Sequence, residues 1–179
     1  MGLFLLSFVM LVFAMVGIFG YMEDAKFGAL AGASVWIMGA AGILFAFLGY
    51  ASWKGGNKFL MVIFLFLAFF AAIYSGTIIF AAGAPIGVDL IYIIIAVFVI
   101  IFAIWAFIIK AGMMLTVLLI TSALVFLFYA LALPALQPGS TLDWPGIYLL
   151  LLGIFALISF ALATYLALAD CTDGKLPTF

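Results

Sequence analysis

The chain has 179 residues, of which 72% are hydrophobic and only 6% are charged. Soluble domains are about half apolar and about a quarter charged, because a folded surface needs charged groups to stay in solution. The composition therefore excludes a soluble domain and indicates a membrane protein. With no histidine, one cysteine and five lysines as the only basic residues, the sequence also argues against a metal set, a Ser-His-Asp triad or a nucleic-acid surface.

Six apolar runs are long enough to cross a bilayer as helices, since a span needs roughly 20 mostly apolar residues. The connectors between them are short and rich in glycine, proline and polar residues. Spanning β-strands would alternate lipid-facing and lumen-facing residues, and these runs are apolar throughout. We therefore predict an all-α integral membrane protein with one domain of six transmembrane helices over residues 1–179. The predicted spans are 3–20, 28–50, 59–82, 90–109, 113–133 and 145–168.

The lysines fall unevenly on the two sides of the predicted topology. Lys54, Lys58, Lys110 and Lys175 share one side, and Lys26 lies on the other. The positive-inside rule then places both termini in the cytoplasm of a multi-pass plasma-membrane protein. The first run lacks the basic start of a secretory signal, so we expect it to remain as a helix.

Hydroxyl and aromatic side chains are the polar features of the predicted spans, because all eleven charged residues fall in connectors, the tail or span ends. Most intramembrane hydroxyls are expected to bond a carbonyl of their own helix or a neighbouring helix. The candidates for a solute path are Ser7, Thr121, Ser122 and Ser159. The absence of an intramembrane acid or base argues against a side-chain proton relay.

Aromatic residues are candidates for a narrow hydrophobic constriction, an element that gates by excluding water. Phe66, Phe70 and Tyr74 share one face of the third run at spacings of four, and Phe4 and Phe8 do so on the first run.

Small residues form a stripe on the second run at alternating spacings of four and three. Such a stripe lets another helix approach closely, because van der Waals packing replaces the hydrophobic effect inside lipid. We predict helix packing there, within one protomer or between subunits. The glycines of the stripe are Gly28, Gly32, Gly39, Gly42 and Gly49.

Several segments resemble the succinate–acetate permeases of the acetate uptake transporter family, which are small six-helix proteins. The similarity covers about two thirds of the chain and is strongest in the last span. Its residues are Gly153 through Tyr165 to Asp170, Leu176 and Pro177, Gly42 and Gly49 leading into Gly56, Asn57 and Phe59, and Lys110, Leu115, Phe126 and Ala130.

The chain departs from that family in the residues that the family associates with substrate. The family has the entry motif Asn-Pro-Ala-Pro-Leu-Gly-Leu before its first span. Only the final Gly-Leu of that motif has a counterpart in this chain, at Gly2 and Leu3. Phe45 and Ser52 stand where the resemblance places a glutamine and a glutamate, and Leu67 stands at an aromatic position of the constriction.

The resemblance implies a homohexamer in which each protomer has its own path for acetate and other small carboxylates, succinate included. The composition and charge predict no cofactor and no nucleic-acid partner. A carboxylate is very costly in hydrocarbon, so the solute either crosses as the neutral acid or is held by hydroxyls and helix N-termini. Two alternatives remain open: a hexameric channel for urea-like neutral solutes, and a non-transporting subunit of a membrane complex. An enzyme is not expected, because no nucleophile–base pair is visible in the spans.

Overall fold

The computed structural model describes residues 2–22, 24–80, 88–135 and 145–172, with side chains described within 2–21, 36–75, 90–132 and 146–172. These residues form helices and short turns, without a strand, and each helix is long and apolar enough to cross a membrane. The predicted all-α fold of six spanning helices is confirmed. The helices are α1 (Gly2–Met22), α2 (Asp24–Lys54), α3 (Lys58–Phe80), α4 (Val88–Ile108), α5 (Met113–Ala135) and α6 (Pro145–Cys171).

The second helix departs most from its predicted limits. It has 31 residues and begins at Asp24, four residues before the predicted start. At 1.5 Å per residue it is about 46 Å long, which exceeds the hydrocarbon core of about 30 Å. Asp24 and Lys26 were expected in a connector but lie in the first turn of this helix.

Consecutive helices run antiparallel, as their cross-contacts show. Ser7 meets Thr164 and Gly17 meets Gly153 between α1 and α6. Three further helix pairs show the same pattern: as the residue number rises along one helix, the number of the residue that it contacts on the other helix falls. These pairs are α2 and α3, α3 and α4, and α5 and α6. The helices pack in chain order around a ring that α1 and α6 close. It follows that α1, α3 and α5 begin, and α2, α4 and α6 end, at one end of the bundle.

We call this end the lysine end, because Lys54, Lys58 and Lys110 lie there. A tight turn joins α2 to α3, with Gly56 at a φ of 76° that favours glycine and the Asn57 N–H bonded to the Ser52 carbonyl at 3.0 Å. The Asn57 Oδ1 accepts the Leu60 N–H at 3.0 Å and so caps α3.

Two kinds of seam hold the ring together. At the α1/α6 and α2/α3 seams the helix backbones approach through glycine: a Cβ built on Gly17 would lie 2.5 Å from the Gly153 nitrogen of α6. The seam between α3 and α4 is different, because their backbones come close at only a few points and aromatic rings fill the space. Phe66 meets Phe102 at 5.1 Å between ring centroids, and Phe59 meets Trp105 at 4.9 Å.

The glycine stripe of α2 packs inside the protomer where its surroundings are described. A Cβ on Gly42 would lie 3.1 Å from the Ala71 Cβ, one on Gly49 would lie 2.9 Å from Leu65, and one on Gly39 would lie 3.5 Å from the Ser75 Oγ. These three partners belong to α3, so the stripe serves the α2/α3 seam. Gly28 and Gly32 lie in α2 but outside the residues whose surroundings are described.

Candidate functional site

Buried aromatic rings fill the centre of the bundle, and we call this set the aromatic cluster. Each member is at most 3% exposed. Phe13 of α1 reaches across the ring to Tyr74 at 5.6 Å and to Tyr129 at 5.7 Å between ring centroids. The shortest separation, 4.5 Å, joins Phe70 and Phe126. The cluster comprises Phe13, Phe70, Tyr74, Tyr92, Phe126 and Tyr129, drawn from α1, α3, α4 and α5.

Three phenols lie on the side of the aromatic cluster away from the lysine end. Tyr74 and Tyr129 are each the 17th residue of their helix, and Tyr92 is near the start of α4, which runs the opposite way. Tyr92 and Tyr129 have ring centroids 4.8 Å apart, and the side chains of Tyr74 and Tyr129 share a hydrogen bond. Edge-to-face contacts of this kind stabilise aromatic pairs by about 0.5–1.5 kcal/mol beyond their burial.

Hydroxyl groups form a second layer, nearer the lysine end. The Ser159 Oγ donates to the Thr121 Oγ1 at 2.9 Å, and Thr121 donates to the Leu118 carbonyl at 3.0 Å. Ser122 donates to the same carbonyl at 2.7 Å. All three hydroxyl residues are buried. Thr121 lies eight residues before Tyr129, which places this layer about 12 Å along α5 from the phenols.

A second hydroxyl pair joins α1 to α6. The Ser7 Oγ and the Thr164 Oγ1 are 2.6 Å apart, and the Thr164 hydroxyl donates to the Phe160 carbonyl at 2.8 Å. A hydroxyl carries a single proton. Since the Thr164 proton is used in the hydrogen bond to the Phe160 carbonyl, Ser7 must be the donor in the hydrogen bond between Ser7 and Thr164.

Every hydroxyl of these two groups already uses its one proton in a hydrogen bond to a neighbouring oxygen. The residues are Ser7, Thr121, Ser122, Ser159 and Thr164. Their oxygens keep lone pairs that accept further bonds. In this conformation the hydroxyl layer therefore offers acceptors to a solute, whereas a carboxylate anion requires donors.

Among the residues with described side chains, no charged residue is buried. The buried polar residues are Ser7, Ser75, Thr121, Ser122 and Ser159. No group of three metal-binding side chains occurs in the part of the chain with described side chains. The centre of the bundle is thus neutral and aromatic, with hydroxyl oxygens toward the lysine end and phenols toward the other.

Outside the hydroxyl groups, the predicted path residues fall in four different places. Phe70 and Tyr74 belong to the aromatic cluster, while Phe66 is partly buried and packs with Phe98 and Phe102 in the α3/α4 seam. Leu67 is buried in the core. Phe8 is 50% exposed and lies on the outer surface of the bundle, so it is not brought together with the others.

The structure adds four rings that were not among the predicted path residues: Phe13, Tyr92, Phe126 and Tyr129. Phe126 and Tyr129 lie three apart on α5, and so share a helix face. On α5 that spacing could have predicted the two rings from the sequence. On α1 and α4 the contributing ring is one of several aromatic residues, and only the contacts between helices show which of them face the centre of the bundle.

Comparisons with protein families, with curated proteins and with solved structures found no match to this chain.

Proposed function

We propose that the chain is a membrane transporter or channel that passes acetate and other small carboxylates, succinate included, through the centre of the six-helix bundle. The observation that carries this proposal is the neutral core, in which hydroxyl oxygens lie on one side of a closed aromatic cluster and phenols lie on the other. In this proposal the solute crosses the aromatic cluster as the neutral acid.

The chemistry of the two layers supports the neutral form. An ionised carboxylate without a cationic partner is very costly in a dry, apolar environment. A protonated acid, by contrast, has one O–H to donate and a carbonyl to accept. Its O–H can donate to the hydroxyl layer, where the Ser159 and Ser122 oxygens keep free lone pairs while their own protons are used in hydrogen bonds. Proton coupling then comes from the solute itself and requires no protein carboxylate.

The aromatic cluster supplies the closed gate of this mechanism. Phe13 and Phe70 pack directly against Phe126, with ring centroids 6.0 and 4.5 Å away, and no solute fits between rings in contact. Passage therefore requires the rings to separate or rotate. The α3/α4 seam offers the freedom to do so, because side chains rather than close backbones hold it.

Flux into proteoliposomes tests the proposal. We expect uptake of labelled acetate above that of protein-free vesicles, and its loss in Ser122→Phe, since the larger side chain fills the hydroxyl layer. The matched control is Ile120→Phe, which adds the same ring two residues away at a position that is 46% exposed. Uptake equal to that of empty vesicles would contradict this function, and equal uptake in both variants would contradict the placement of Ser122 on the path.

A channel for small neutral amides is the second candidate, because a core without charge suits a urea-like solute as well. Competition separates the two. If acetate is the substrate, unlabelled acetate inhibits labelled acetate uptake and urea does not; the reverse pattern favours the amide channel.

We also propose the homohexamer and the cytoplasmic termini. The first rests on the family resemblance. The second is supported by the position of Lys54, Lys58 and Lys110 at the end where α1 begins and α6 ends. The mass of the complex in mild detergent, and labelling of Cys171 from each side of oriented vesicles, test them separately.

A further inference from the structure

We propose that an anionic phospholipid binds in the groove between α3 and α4 at the lysine end, with its phosphate held by Lys58 and Lys110. This site is separate from the solute path, and it does not depend on the proposed function.

The groove follows from the packing of the ring. The backbones of α3 and α4 come close at only a few points, and Phe59 and Trp105, with ring centroids 4.9 Å apart, form the floor of the space between the helices near the lysine end. Deeper in the membrane Phe66 and Phe98 meet at 5.7 Å, and Phe98 is 44% exposed. The groove therefore has an aromatic floor that opens to the lipid, which suits acyl chains.

Two lysines lie close along the chain to the rings that form the floor of this groove near the lysine end. Lys58 directly precedes Phe59 at the start of α3, and Lys110 follows Trp105 by five residues just beyond the end of α4. Both side chains are exposed, and neither forms an ion pair with a described residue. Lys54 differs, because its ammonium lies over the Tyr50 ring of α2, 5.1 Å from the centroid.

Carboxylates do not neutralise the pair within the part of the chain whose side chains are described. Asp170 is the acid in that part, and it lies on α6, which packs against α1 and α5 rather than against α3 or α4. Two exposed ammonium groups over an apolar groove at the membrane surface match one kind of occupant: a lipid with a net negative headgroup.

The backbone conformation of Lys110 is a further observation that bears on this site. Its φ is 55°, in the left-handed region where glycine is the usual residue, and the Ala111 N–H bonds the Ala106 carbonyl at 3.0 Å to end α4. A non-glycine residue is disfavoured there, so this lysine carries a local conformational cost. Binding of a headgroup by its ammonium would offset that cost.

Thermal unfolding in nanodiscs tests the site. We expect discs of phosphatidylcholine with phosphatidylglycerol to raise the Tm of the natural chain by about 3 °C or more over phosphatidylcholine alone. The double variant Lys58→Gln/Lys110→Gln should lose most of that rise. The control Lys26→Gln removes one lysine charge at the opposite end of α2, and this variant should keep the rise.

Three results would overturn the proposal. They are a Tm that does not respond to phosphatidylglycerol, a double variant that keeps the full rise, and a control variant that loses as much as the double variant. Soluble glycerol phosphate is added to phosphatidylcholine discs as a further arm; if it reproduces the rise, the ligand is a free phosphate and the lipid assignment is wrong.

Lys110→Gly provides a test that does not depend on a weakened fold. Glycine relieves the left-handed backbone, so the Tm in phosphatidylcholine should rise. The additional stabilisation by phosphatidylglycerol should shrink, because one ammonium is gone. A variant that gains stability in phosphatidylcholine and keeps the full response to phosphatidylglycerol would contradict the role of Lys110.

Discussion

The contact between Gly17 and Gly153 predicts that Gly17→Ala weakens the junction between α1 and α6. The added Cβ would lie 2.5 Å from the Gly153 nitrogen, 2.7 Å from its Cα and 2.7 Å from the Leu149 carbonyl oxygen. All three atoms belong to the backbone of α6, so no side-chain rotation relieves the clash. An ordinary contact needs about 3.5 Å, so the two helices must separate by about 1 Å.

The free energy of unfolding should fall by a moderate amount. Overpacking of a well-packed interior costs about 1–3 kcal/mol, and a clash with backbone falls in the upper part of that range, at about 2–3 kcal/mol. Replacing a helical glycine by alanine recovers about 1 kcal/mol through helix propensity. The net loss is therefore about 1–2 kcal/mol, which corresponds to a Tm lower by about 2–8 °C for a chain of this length.

Gly39→Ala is the matched control, because it makes the same chemical change in another spanning helix. Its Cβ would meet the Ser75 Oγ at 3.5 Å, an ordinary contact. This variant should be as stable as the natural chain or slightly more stable. Thermal unfolding in detergent, followed by tryptophan fluorescence, compares the two. If Gly17→Ala is as stable as Gly39→Ala, the close approach of α1 and α6 is wrong.

The remaining predictions concern the aromatic cluster and the hydroxyl layer. Phe70→Ala removes a ring that is 2% exposed and should cost about 3–5 kcal/mol of stability, whereas Phe69→Ala, at a position 65% exposed, should cost under about 1 kcal/mol in the same unfolding assay. If the rings form the gate, Phe70→Ala that still folds should also leak acetate faster; an unchanged leak argues against the gate. Thr121→Val leaves the Ser159 donor without its acceptor and should cost about 1–3 kcal/mol. Ser122→Ala should cost less, because Thr121 still bonds the Leu118 carbonyl; equal losses would refute this hydrogen-bond scheme.

The fold was predictable from the sequence because a spanning helix has a simple signature, about 20 apolar residues between polar connectors. Five helices begin and end within three residues of the predicted limits. The start of α2 was missed because Asp24 and Lys26 are charged, and charge was taken to end a helix. A helix that extends beyond the hydrocarbon core carries such residues at no large cost.

The candidate site was only partly predictable. The spacing of Phe70 and Tyr74 by four residues placed both rings on the same side of α3, and both are buried in the aromatic cluster. The same spacing places Phe4 and Phe8 on one face of α1, but they are 40% and 50% exposed and face outward. Periodicity shows which residues share a face, whereas in a chain apolar on every side it does not show which face is buried.

The packing of glycines shows the same limit. The stripe on α2 was visible because its small residues recur along the helix, and its described members do pack against α3. The pair Gly17 and Gly153 makes a closer contact between two helices that lie at opposite ends of the sequence. The few glycines of α1 and α6 form no stripe along either helix, so this contact becomes visible only in three dimensions.

The central claim, that the solute crosses the neutral core as the protonated acid, is tested most directly by the pH dependence of acetate uptake. The initial rate is measured in proteoliposomes at fixed total acetate, with the rate in empty vesicles subtracted. Above the pKa of the acid, its neutral fraction falls about tenfold for each unit of pH. We predict that the protein-dependent rate rises by the same factor as the pH falls and levels off below that pKa. A rate that stays constant with pH, or that follows the anion and falls as the pH falls, would contradict the claim.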